Sequence, residues 1–171
     1  FRAILEQYKL PPEGVHGVSH WARVADNGKR LAEVTSAHRD IVTLFAYLHD
    51  ACRASEDWDP ERGTRAAELS YRWRGLYFDL SRQNFDLLYT ACAAQGDGLL
   101  EGDITLQTCW DADRLDIGRV GVMLIPSLLC TDAARHPDFM AWADYRARHH
   151  VLPDWLHTLW TPPTAEAEPP D

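Results

Sequence analysis

Ile41, Leu44, Phe45 and Leu48 recur at the i, i+3, i+4, i+7 spacing of a helix with one apolar face, the strongest periodicity in the chain. The spacing predicts a helix over residues 40–51. Upstream, Trp21, Val24, Ala25, Leu31 and Val34 fall roughly on one face. They predict a helix over 20–36 with Ser19 as its cap. A shorter helix over 1–10 is stopped by Pro11-Pro12, and 11–17 reads as a loop. Residues 55–63 are polar and carry Asp59-Pro60, a second loop. Helices are expected over about 64–74, 81–95 and 105–116. Ser81 is a cap for the second of these, and Gly96-Asp97-Gly98 breaks the chain before the third. Two more helices are expected over 126–135 and 137–149, then a short turn from Pro153 to Trp160. The stretch 161–171, rich in Pro, Glu and Ala, reads as a disordered tail. No alternation is long enough for a sheet, and no repeat or second domain is visible. The expected fold class is all-α: a single-domain helical bundle over residues 1–160.

Length and composition agree with that expectation. A chain of 171 residues can bury most of its apolar surface around one core. Hydrophobic residues make up 46% and charged residues 25%, the balance of a soluble globular protein. Seven Trp favour a bulky core with an aromatic cleft. The net charge of -9 repels a phosphate backbone at long range, which disfavours a nucleic-acid partner. A small anionic substrate stays open, because a bound cation inverts the local field. Cys52, Cys92, Cys109 and Cys130 form no C-x-x-C pair and read as buried free thiols. No apolar run approaches a membrane span and no secretory signal is visible, so the cytoplasm is the expected compartment.

Three places carry candidate chemistry. The first is the run from His16 to Val24, with His16, His20 and Arg23. The second is His49-Asp50, at the C-terminal end of the most periodic helix. Adjacent helix residues point about 100° apart, yet both side chains can reach one ion set over the helix edge. Imidazole and carboxylate suit Mn, Fe, Co, Ni, Zn or Mg. The plainer reading is a surface ion pair at a helix end, where His is favoured by the macrodipole. The third place is Asp111, Asp113 and Asp116, in an otherwise apolar segment. Buried carboxylates are unfavourable unless paired or metal-bound. Arg114 and Arg119 are available as partners, and Asp113 and Asp116 share a helix face at i, i+3.

Together, His20-Trp21-Ala22-Arg23-Val24, a helix ending in His49-Asp50, and Ala112-Asp113-Arg114-Leu115 resemble the motifs of the HD-domain phosphohydrolase superfamily. The resemblance covers about residues 14–121. It implies an all-helical fold of the HD type and a metal held by His20, His49, Asp50 and Asp113. Two-metal members of that family, including its oxygenase branch, place extra His residues between the doublet and the distal Asp. Here no His occurs from Ala51 to Asp113. The positions where one would stand fall at Arg62-Gly63 and Gln95. This argues for one divalent ion and against dioxygen chemistry.

The implied reaction is hydrolysis of a small, anionic phosphate ester, with a nucleotide among the candidates. Asp113 or Asp116 would orient the attacking water. Arg53, with His16 and Glu56 nearby, would bind the phosphate. Arg53 could equally pair with Glu56 or Asp57. The alternatives are a metal-binding regulatory or binding module without turnover, and a di-iron oxygenase of the same superfamily.

Overall fold

The longest helix, α2 (Val18–Thr35), runs through the middle of the molecule and takes neighbours on several sides. The computed structural model describes residues 1–161. A short α1 (Arg2–Gln7) precedes α2, and α3 (Arg39–Leu48) and α6 (Ile104–Arg114) pack against it. Helices α4 (Arg62–Trp73) and α5 (Arg82–Ala93) form a pair that leans on α3 and α6. After α6 come a 3₁₀ turn (Ile117–Val120), a second one (Pro126–Leu128), the four-residue α7 (Asp132–Arg135), α8 (Pro137–Arg148) and a last 3₁₀ turn (Asp154–Thr158). Among the described residues there is no strand, only an isolated bridge between Arg74 and Phe78. The fold is all-helical and single-domain, as expected. No described helix is long and apolar enough to cross a membrane. The expected tail lies outside the described residues, apart from Thr161.

The stripe that predicts α3 is the stripe it buries: Ile41, Phe45 and Leu48 are at most 2% exposed. They join Trp21, Val24, Leu88, Cys109 and Trp110 in the main core. A smaller cluster around Leu31, Leu115, Leu129 and Ala143 seats α7 and α8. Two glycines let helices close in. A Cβ at Gly28 would meet Val42 Cγ1 at 2.5 Å, so α2 and α3 touch there. A Cβ at Gly63 would meet the carbonyl oxygens of Cys92 and Ala93 at 2.7 Å, so the start of α4 lies on the end of α5. Cys92, Cys109 and Cys130 are buried free thiols and Cys52 is half-buried. Burial pushes the Cys92 and Cys109 thiols well up, which leaves them unreactive.

Several expected boundaries move. Ser19 sits inside the first turn of α2, whose cap is Gly17. The helix expected over 126–135 is a 3₁₀ turn and α7, separated because Thr131 leaves the helix to cap Ala134 N with its hydroxyl. Asp103 caps α6, which ends at Arg114, so Asp116 lies in the turn beyond and not on a shared helix face with Asp113. Val34 is 69% exposed and faces a side groove instead of the core. The sequence expectation of ion pairs for Asp111 is replaced by an anchor. Its buried carboxylate accepts from Cys130 N (2.6 Å), Thr131 N (2.8 Å) and Thr131 Oγ1 (2.8 Å).

That anchor ties the segment after α6 back onto it. Asp111→Ala leaves two buried amides and the Thr131 O–H without an acceptor, and is expected to cost about 3 kcal/mol. For a chain of this size, thermal unfolding should show Tm lower by roughly 6–12 °C. A Tm within error of the parent would show that the anchor contributes nothing.

Candidate metal centre

Three helix ends meet beside the core. His20 lies in the first turn of α2, His49 and Asp50 in the turn that closes α3, and Asp113 in the last turn of α6. His20 Nε2 stands 3.0 Å from His49 Nε2, 3.4 Å from Asp113 Oδ1 and 3.8 Å from Asp50 Oδ2. His49 Nε2 stands 3.7 Å from Asp113 Oδ1 and 3.9 Å from Asp50 Oδ2. All four ligand candidates from the sequence are therefore brought together. Donors held about 2.0–2.2 Å from one ion stand about 2.8–3.6 Å apart along tetrahedral or octahedral edges. The observed separations begin inside that range at 3.0 and 3.4 Å and run past it to 3.7–3.9 Å, so Asp50 and Asp113 would each draw in by a few tenths of an ångström on an ion.

The protonation pattern sharpens the picture. His49 Nδ1 lies 3.2 Å and 3.0 Å from the carbonyl oxygens of Phe45 and Ala46. Those atoms only accept, so Nδ1 carries the proton. His20 Nδ1 lies 2.7 Å from Asp116 Oδ2 and donates to that carboxylate. With both imidazoles neutral, the two Nε2 atoms are lone pairs that face each other. Two acceptors at 3.0 Å repel unless a cation lies between or beside them. Burial holds the His49 imidazole below its ordinary pKa, against the pull of Asp50 and Asp113, which favours the neutral ligand form. Burial works against charge on Asp50, yet its carboxyl is held well below the usual range, with the hydrogen bond to His16 among the causes.

Asp116 is placed behind the site, not in it. It is 1% exposed and accepts from His20 Nδ1 and from Arg23 Nε at 2.6 Å. Its expected catalytic role therefore becomes a positioning one: it fixes the tautomer and orientation of His20. Arg23, part of the first motif, was given no role by sequence and holds this carboxylate from the other side.

The site opens into a cleft of about 470 Å³ whose walls include Asp50, Asp113, Arg53, Glu56, Arg62, Gln95 and Arg119. His16 joins it with Nδ1 3.1 Å from Asp50 Oδ2 and 3.1 Å from an Arg119 amino nitrogen. Its ligand atom also groups with those of His20 and Asp50 within 4.8 Å, so His16 is a further ligand candidate. Arg53 lines the cleft, but its Nε and one amino group donate to the carbonyls of Ser55 and Asp57 at 2.8 Å each. It thus folds its own loop, while its other amino group lies 3.5 Å from Asp50 Oδ1. Neither carboxylate oxygen of Glu56 has a hydrogen-bond partner. Comparison of the chain with known proteins finds no matching family model, no matching curated protein and no matching solved structure.

Sequence reasoning gave no binding role to Arg62 or Gln95, although both positions drew notice as places without His. Gln95 Nε2 donates to the His49 carbonyl at 2.7 Å, and its Oε1 is buried without a partner. The aromatic lining expected from the Trp count is limited here to the exposed Trp58.

Two outcomes are expected. A divalent ion in hundredfold excess over its Kd should stabilise the parent by about 2.7 kcal/mol, while Asp113→Ala should show no such rise in Tm. Asp116→Asn should lower metal affinity about 10–100-fold by loosening His20, as measured by competitive chelator titration. An unchanged Kd would remove Asp116 from the site.

Proposed function

We propose that this chain is an HD-type metal-dependent phosphohydrolase acting on a small phosphate ester, with nucleotides the first candidates. The observation that carries the reading is the pair of Nε2 lone pairs at 3.0 Å, flanked by the carboxylates of Asp50 and Asp113, at the floor of an arginine-walled cleft. His20, His49, Asp50 and Asp113 would hold one divalent ion. His20 supports the count of one. Its Nδ1 is spent on Asp116, so a single lone pair serves both groupings of ligand atoms that include it. Bound there, the ion would lower the pKa of a water ligand and stabilise charge on a phosphoryl oxygen.

The remaining work falls to residues of the wall. Glu56 has an uncommitted carboxylate and is the candidate acceptor for the proton of the attacking water. Arg119 and Arg53 put positive charge beside Asp50 and His16 while both are tied to backbone carbonyls, which keeps that charge fixed in place. The unpartnered oxygens of Glu56 and Gln95 require donors from water or ligand. Hydroxyls near the phosphate, as on a ribose, supply them.

The test is turnover. Protein loaded in turn with Mn, Co, Ni, Zn or Mg should release inorganic phosphate from at least one member of a phosphomonoester panel. Elemental analysis of the active form should give one ion per chain. A stoichiometry of two would overturn the single-ion assignment. Folded, metal-loaded protein that cleaves no ester would sink the enzyme reading and leave a metal-binding regulatory module.

A further inference from the structure

Asp50 uses its two oxygens differently. Oδ2 faces the imidazoles of His16, His20 and His49 at 3.1, 3.8 and 3.9 Å. Oδ1 faces the other way, towards two guanidinium groups: Arg53 at 3.5 Å and Arg62 at 3.5 Å. The carboxylate therefore stands between a place for a metal ion and a pair of fixed organic cations. Both guanidinium groups line the cleft into which the open positions of an ion would face.

Among the arginines of the cleft, the donors are unequally committed. Arg53 donates to Ser55 O and Asp57 O, Arg114 to Leu128 O and Leu99 O, and Arg119 to Val15 O and Asp116 O. Arg62 differs. Its Nε faces Asp50 and one amino group donates to Asp59 O at 3.2 Å, but its second amino nitrogen has no protein partner among the described residues. Its side chain keeps 20% exposure, so a ligand can reach it. The backbone aims it. Gly63 lets the start of α4 rest on the end of α5, and a Cβ at Gly96 would already stand 3.4 Å from the Arg62 guanidinium. Gln95 Oε1, in a residue 6% exposed, is a second unclaimed polar atom in the same wall.

We infer that Arg62 is the anion anchor of the site: its free amino group binds a non-bridging oxygen of the phosphate while another oxygen lies on the ion. This rests on the phosphoester reading above, and it shifts the phosphate contact from Arg53 to Arg62. Lys at this position keeps the charge but not the geometry, because its donors radiate from one nitrogen, whereas the guanidinium faces Asp50, the Asp59 carbonyl and a phosphate from three separate nitrogens.

The experiment uses the full chain loaded with Co(II), whose visible absorption reports the metal and its ligands. Inorganic phosphate is titrated into parent, Arg62→Gln and Arg62→Lys. The inference expects phosphate to perturb the parent spectrum. It expects the phosphate Kd to rise about tenfold or more in Arg62→Gln, with Arg62→Lys between the two and cobalt content unchanged in all. Equal phosphate affinity in parent and Arg62→Gln would overturn the anchor and leave the phosphoester reading standing. A cobalt-loaded parent that binds no phosphate would overturn both. Loss of cobalt from Arg62→Gln would show that Arg62 acts through Asp50, and the anchor role would fall.

Discussion

Two fully buried imidazoles bring their Nε2 atoms to 3.0 Å at the floor of the cleft, and much of the surrounding structure exists to hold them there. Neither ring can turn away. His49 is gripped through Nδ1 by the carbonyls at the end of α3, and its own carbonyl is held by Gln95. His20 is gripped by Asp116, which Arg23 holds in turn. Each grip settles which nitrogen carries the proton, so each leaves the other nitrogen as an acceptor. An interior built this way is unfavourable by itself and becomes favourable with a cation.

The charges around that point show why an acidic chain can still favour an anion locally. The net charge of -9 describes the surface at long range. Within the cleft, Arg53, Arg62, Arg114 and Arg119 stand among Asp50, Glu56, Asp57, Asp59 and Asp113, four guanidinium groups against five carboxylates, and a divalent ion would tip that balance positive. Most of these guanidinium groups are tied to carbonyl oxygens, which hold them in place without cancelling their charge. The field at the mouth of the site is thus set by fixed groups that need no rearrangement when a ligand arrives.

The sequence disclosed the ligands more readily than their supports. The α3 stripe announced its helix because Ile41, Phe45 and Leu48 are both periodic and buried. His49-Asp50 drew attention because a polar doublet follows an apolar stripe. Spacing put Asp113 and Asp116 on one helix face and only the motif around Asp113 singled it out as the ligand; spacing cannot show that α6 ends at Arg114 and sends Asp116 behind His20. Arg53 read as a phosphate clamp or as a partner of the Glu56 or Asp57 side chain, because its actual partners are backbone carbonyls of its own loop, which sequence does not display. Arg62 acquires its position only through the approach of α4 to α5 at Gly63, a tertiary fact with no local signature beyond the glycine itself. The single helix expected over 126–135 failed for a similar reason: Asp111, from another helix, takes the amides of Cys130 and Thr131.

The bond between His20 and Asp116 joins residues 96 apart in the chain. Closing so long a loop is entropically unfavourable, so the contact depends on the helices that bring its ends together. In an unfolded chain an ion meets at most a neighbouring pair such as His49 and Asp50, which is too few donors to retain it. The centre is therefore assembled by the fold and does not nucleate it. An ion held there would mark a chain that has finished folding, and a chain stalled before α6 docks would offer it no such set of donors.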